Sequence, residues 1–207
     1  TVSIDLALAG GKLNAGRTLI VVEDSAEATI LEHTSGLEVN EETLFANGIE
    51  VYVGKNASCR YYAFQRWPEQ VCQFAAYRAK VERDGRMDWL VGSFGSSFSQ
   101  VRVESALAGE GAATNVHAVY YGNGSQHLDH DLVANHLVGK TTSDTYARGI
   151  VDEKAKAVYR GMIQIQRGAH GSEADQNGHA TTYTHDARGN EIQQTPTATT
   201  STSSSPR

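Results

Sequence analysis

Asp152-Glu153-Lys154-Ala155-Lys156-Ala157-Val158-Tyr159-Arg160-Gly161-Met162-Ile163-Gln164-Ile165-Gln166 contains the two features that decide the fold, a tight charged turn and a strand running out of it. In the strand, Ala157, Tyr159, Gly161, Ile163 and Ile165 share one face, and Lys156, Arg160, Gln164 and Gln166 the other. Successive Cβ atoms of a strand point to opposite sides, so this alternation asks for a half-buried sheet. Val158 and Met162 blur the polar face, which predicts partial cover there. The same reading predicts strands over 19–22, 28–32, 50–53, 60–64, 88–91, 100–107 and 115–121. The turn recurs as Glu23-Asp24-Ser25-Ala26, Gly54-Lys55-Asn56-Ala57, Arg83-Asp84-Gly85 and Gly109-Glu110-Gly111-Ala112, and Gly168-Ala169 follows in the same style. Small residues at repeated corners are what stacked coils need, because the chain turns tightly over its neighbour. The corners at 26, 57, 85, 112, 155 and 169 are unevenly spaced, so they support a β-solenoid while leaving a sandwich open.

Only 67–74, with Pro68 suited to a first turn, reads as helix-like or irregular. The expected organisation is one all-β domain over 1–176 with little helix, then a divergent tail over 177–207. The stretch 195–207 is almost entirely Thr, Ser, Pro and Ala and is expected to be disordered.

Composition narrows the function classes. The 207 residues are 40% hydrophobic and 20% charged, the profile of a water-soluble domain. A formal charge of −6 argues against a nucleic-acid partner, whose phosphates need a basic surface. No apolar run reaches bilayer length, so no membrane partner is expected, and no charged-then-apolar leader opens the chain. Cytoplasm is the expected location. The chain opens at Thr1 without Met, which fits a fragment or a processed product.

Ordered blocks then carry a resemblance. They are Arg17-Thr18-Leu19-Ile20-Val21-Val22-Glu23, Gly122-Asn123-Gly124-Ser125-Gln126-His127-Leu128-Asp129-His130, Thr141-Thr142-Ser143-Asp144-Thr145-Tyr146-Ala147-Arg148-Gly149-Ile150-Val151, and Ala155 through Ile163 to Gly168-Ala169. In order and approximate spacing they resemble the SufB/SufD scaffold subunits of the SUF iron–sulfur cluster assembly system. The Gln126-His127-Leu128-Asp129-His130 block followed by Thr-Thr-Ser-Asp looks more like SufD; a SufB-type paralogue is the alternative. The resemblance implies a right-handed parallel β-helix (β-solenoid) and a non-catalytic scaffold. It also implies a SufB partner joined through β-helix edges and a SufC ATPase docked on C-terminal helical regions. No cofactor is expected in this chain itself, although an iron–sulfur cluster is associated with the assembled complex. Past Gln176 the pattern departs: His185-Asp186-Ala187-Arg188-Gly189-Asn190-Glu191-Ile192 keeps an echo, and the Cys/His block and SufC-docking end have no counterpart.

The chemistry-bearing residues give weaker signals. His127, His130 and His136 with Asp129 and Asp131 form the densest metal-like cluster, but on a strand His127 and His130 point to opposite faces. Cys59 and Cys72 are too few for a cluster, which takes four thiolates as a rule, and their neighbours mark them as packing residues. Ala134-Asn135-His136-Leu137-Val138-Gly139-Lys140-Thr141 ends at P-loop spacing, yet lacks the first Gly and a convincing helix after it. A P-loop ATPase using Lys140 is therefore the rival from another class, and a β-helical carbohydrate-active enzyme the second. Gly92-Ser93-Phe94-Gly95-Ser96 lacks the nucleophile-elbow spacing. Tyr61, Tyr62, Phe64 and Trp67 read as core and coil stacking. No catalytic, cofactor-binding or metal residue is assigned.

Overall fold

The structure is a computed structural model that describes residues 1–8, 13–36, 39, 41–185 and 191–201. Among them lie fourteen strands and no helix. The first half holds β1 (Val2–Leu8), β2 (Leu13–Val22), β3 (Glu27–Gly36), β4 (Thr43–Val53), β5 (Ser58–Arg66), β6 (Val71–Val81) and β7 (Arg86–Ser93). The second holds β8 (Phe98–Leu107), β9 (Ala113–Gly122), β10 (His127–His136), β11 (Thr142–Val151), β12 (Lys156–Ile165), β13 (Glu173–His185) and β14 (Glu191–Ser201). Odd strands from β1 to β13 pair in order in one sheet, and even strands from β2 to β12 in a second. Every one of these neighbours is parallel; β14 alone runs antiparallel, along β13. Each coil thus gives one strand to each sheet, and the chain is a parallel β-helix.

Alternation sends one face of every strand into the lumen. In the odd sheet Ile30, Tyr61, Trp89, Val116, Thr145 and Gln176 stack as one buried row. In the even sheet Val22, Val53, Val81 and Leu107 stack as another, each 4% exposed or less. Burying a side chain of this size contributes about 1.5–3 kcal/mol, so the rows hold the coils together. The register jumps by 26 residues between Ser99 and Gln73 and by 31 between Thr141 and Ser172, so the repeat is regular in space and loose in sequence.

The corners explain that looseness. Two residues before each odd strand from β3 to β13 sits a left-handed residue: Ser25 (φ 62°), Asn56 (53°), Asp84 (56°), Gly111 (77°), Lys140 (59°) and Gly171 (70°). They form a column whose N–H groups bond to the next coil, as Ser25 N to Lys55 O at 2.8 Å and Lys140 N to His170 O at 3.0 Å. The residues after them, Ala26, Ala57, Gly85, Ala112, Thr141 and Ser172, make the true repeat. The sequence spacing looked uneven for two reasons. Ala155 belongs to the opposite corner and Ala169 to the wider β12–β13 turn, while Thr141 and Ser172 are not of the Ala/Gly type that marks a corner. Close stacking leaves no room for a side chain at Gly109, whose Cβ would fall 2.1 Å from Arg83 N.

The helix-like reading of 67–74 is overturned, and the irregular one holds for 67–70 alone. Residues 67–74 are not helical: Trp67-Pro68-Glu69-Gln70 is a corner, and β6 begins at Val71. Val71, Gln73 and Ala75 alternate into the lumen, and Trp67 packs against Phe45 with ring centroids 4.8 Å apart. Lumen packing there outweighs the local signal that Pro68 gives. The expected boundary at 176/177 falls inside β13, and the expected tail lies partly on 186–190 and 202–207, outside the described residues.

Candidate docking surface

Among the described residues the rod ends in strands that have no further sheet neighbour. β12 ends the even sheet, so one side of its ten-residue backbone has no strand partner among the described residues. Its lumen-facing Ala157, Tyr159, Ile163 and Ile165 are only half-buried, and Met162 on the outer face is 54% exposed. The neighbouring β10 shows what a covered coil looks like: Leu128, His130, Leu132, Ala134 and His136 are buried. An edge with unpaired N–H and C=O groups beside half-buried apolar side chains is a template for strand addition. At the other end β1 and β2 are the last strands of their sheets among the described residues, and Leu13, Leu19 and Val21 of β2 project outward, exposed.

The lumen behind the β12 end is polar. Ser93 Oγ lies 3.0 Å from His130 Nε2, and the Tyr120 ring stacks on His130 at 4.6 Å. His136 is held on both nitrogens, by Thr141 Oγ1 at 2.7 Å and Ser143 Oγ at 2.9 Å, and Thr141 Oγ1 continues to Ser172 Oγ at 3.0 Å. Gln176 Nε2 donates to Tyr159 Oη at 3.0 Å, in space that only a glycine at 161 leaves open. Burial drives the His130 pKa down to about 4 and lowers that of His136, so both imidazoles are neutral hydrogen-bonding groups. On the outer face Arg102 pairs closely with Asp131, and Arg160 with Asp129 at 2.9 Å, tying β8, β10 and β12.

The structure separates the residues that a metal would need together. His127 faces outward, its ring tilted against that of Phe98 with centroids 5.3 Å apart, while His130 and His136 face the lumen. Among the described residues no three His, Cys, Asp or Glu groups converge. Cys59 is fully buried in β5, its thiol pushed up to about 11 by burial and then by Asp88, whereas Cys72 sits half-exposed on the even sheet. The two sulfurs offer an iron–sulfur cluster no shared site. Gly139-Lys140-Thr141 is a solenoid corner: Lys140 is left-handed, a Cβ on Gly139 would meet His170 O at 2.4 Å, and strand β11 follows. A phosphate loop needs a helix N-terminus in that place.

Ser93 does meet a histidine, which the sequence did not signal because 37 residues separate them. Both side chains have no exposure, and no carboxylate is bonded to His130, so the pair has neither access nor an orienting acid. Tyr61 and Trp67 are core, and Tyr62 and Phe64 lie half-buried on the outer face. β12 was legible as a strand; that it is an edge follows only from counting coils.

Among the described residues the chain is a stacked rod whose terminal strands have no further sheet neighbour, and no reactive centre is assembled. The chain belongs to the SufBD family: the family described as SUF system FeS cluster assembly, SufBD core domain, matches residues 6–195. It is 28% identical over 156 residues to an iron–sulfur cluster assembly SufBD family protein of Mycobacterium leprae, covering 75% of this chain and 18% of that protein. It is 28% identical over 159 residues to the iron–sulfur cluster assembly protein SufB of Bacillus subtilis, covering 77% and 34%. A SufBD family protein of Mycobacterium bovis is 29% identical over 131 residues, covering 63% and 16%. The chain thus spans about a third or less of the length of these relatives.

Proposed function

We propose that this chain is the core of a SufD-type scaffold subunit, non-catalytic and cytoplasmic, that helps build iron–sulfur clusters as cargo of a larger assembly. The observation that carries the reading is the family match along nearly the whole rod together with the free β12 edge, a surface built to receive another strand. A SufB-type subunit adds its own β-helix at that edge, and nucleotide hydrolysis comes from a SufC-type ATPase. The SufD side of the family is favoured by the Gln126-His127-Leu128-Asp129-His130 block, in which Gln126 Nε2 bonds to Ser96 O at 2.9 Å and sets the corner into β10. Within the same proposal, the family-like core covers 1–176 and the sequence diverges over 177–207, although β13 carries the odd sheet on as far as Thr182.

Co-expression with SufB-type and SufC-type proteins of one host tests this. The tagged chain should retain the SufB-type protein, and Ile163→Lys, a charge on the open lumen face of β12, should release it with the far-ultraviolet spectrum unchanged. A chain that elutes alone while a full-length SufD of that host retains the partner would overturn the pairing.

A further inference from the structure

We propose that Glu32, Tyr61 and Tyr77 form a proton-linked clasp between the two sheets, in which the coils close around Glu32 as a neutral acid and loosen when it ionises. Glu32 projects from β3 into the lumen and is 2% exposed. Its Oε2 is bonded closely to Tyr61 Oη, one coil further along the same sheet. Its Oε1 is 3.0 Å from Tyr77 Oη on β6, in the opposite sheet. One carboxyl therefore joins two coils and both walls of the rod. Trp89 closes the cluster, its ring centroid 5.3 Å from that of Tyr61 and 5.9 Å from that of Tyr77.

No cation reaches into this space among the described residues. Asp5 on β1 and His33 on β3 face outward and lie 3.9 Å from each other. Arg17 on β2 is paired with Glu50 on β4 at the outer surface, and Arg60 on β5 is exposed. Arg78 and Lys80 on β6 meet Glu104 and Glu82 outside, and Arg86 on β7 meets Asp88. The titratable groups that do face the lumen here are Tyr61, Tyr77 and Cys59, all uncharged at neutral pH. An ionised Glu32 would lose its hydration with only two phenols to offset it. Burial accordingly raises the Glu32 pKa above the ordinary 4.5, its leading cause, with the two phenol bonds opposing.

The sign follows from linkage. The folded rod keeps a proton that the open chain releases near pH 4.5, so the stability from the clasp is complete below that pH. It is lost as pH rises towards the folded value. One linked proton changes the local opening constant about tenfold per pH unit inside that interval.

Native-state amide exchange of the whole chain, corrected for intrinsic rates, reads this directly. From pH 4.5 upward the opening constants of β3 and β5 amides should climb about tenfold per pH unit more steeply in the parent than in Glu32→Gln. Parallel profiles would overturn the clasp. Should Glu32→Gln not fold, isotope-edited infrared spectra of the parent with ¹³C-labelled glutamate decide. A single protonated carboxyl band should outlast the others as pH rises and vanish in denaturant; bands that all titrate together would overturn the proposal.

Discussion

The two halves of the lumen share one backbone repeat and differ in what fills it. From β3 to β8 Tyr61, Tyr77 and Trp89 meet across an interior that is largely aromatic and aliphatic but also buries Gln65, Gln73, Ser99 and Ser105, and among the described residues Glu32 is its one buried acid. From β9 onward the same rows carry His130, His136, Thr141, Ser143, Thr145 and Gln176, and the bulk of Tyr120 is taken up by Gly149, where a Cβ would fall 1.6 Å from its ring. Coil geometry is therefore set by corners and ladder bonds, which do not change along the rod, and the filling is free to differ. Trp89→Ala tests how far the first half depends on volume. The ring is 1% exposed, and its Nε1 donates to Ser105 Oγ at 3.1 Å. The expected loss is about 3–5 kcal/mol by denaturant titration, with Ser105 Oγ left only its bond with Thr114 Oγ1. A loss under about 1 kcal/mol would mean that the ladder alone holds these coils.

The halves should also respond to pH with opposite signs. In the second half the folded state refuses a proton on His130 until pH falls to about 4, whereas the unfolded chain accepts it near 6.5. Stability from that histidine is therefore full above pH 6.5 and is lost as pH falls towards 4, on the order of 3 kcal/mol. Glu32 works the other way, its contribution fading as pH rises. Urea titrations of His130→Asn between pH 4 and 7 should show a flatter acid limb than the parent. An unchanged limb would place the acid sensitivity elsewhere and remove the contrast.

How much of this was legible follows the same division. Strands with Val, Ile, Tyr or Trp on alternate positions, such as β4, β5, β8 and β9, announce themselves, because burial on one face writes a period of two. β10 and β11 did not, since their lumen faces interleave His130, His136, Ser143 and Thr145 with Leu128, Leu132, Ala134 and Ala147, and that mixture blurs the period in hydropathy. β6 was hidden by Trp67-Pro68, whose local signal points to a helix start. The corner repeat was half legible: Ala26, Ala57, Gly85 and Ala112 stood out by size, whereas Thr141 and Ser172 serve through their hydroxyls. The Glu32–Tyr77 contact spans 45 residues and two sheets, and one sequence holds no signal for it.

Lys140 gives the smallest effect and the clearest separation of readings. As a phosphate-gripping lysine it would be indispensable to nucleotide binding. As a member of the corner column it bears a left-handed conformation, φ 59°, that costs an L residue about 1 kcal/mol and a glycine nothing. Its ion pair with Glu110, 3.3 Å long and exposed, contributes almost nothing. Glycine already fills this place at 111 and 171. Lys140→Gly should therefore leave stability unchanged or raise it by up to about 1 kcal/mol, offset in part by the greater freedom of the unfolded chain. The ladder bond from its backbone N to His170 O is kept, because the substitution touches only the side chain. A thermal melt showing a clear loss, or nucleotide affinity in the parent that disappears in Lys140→Gly, would return this corner to the phosphate-loop reading and break the continuity of the column.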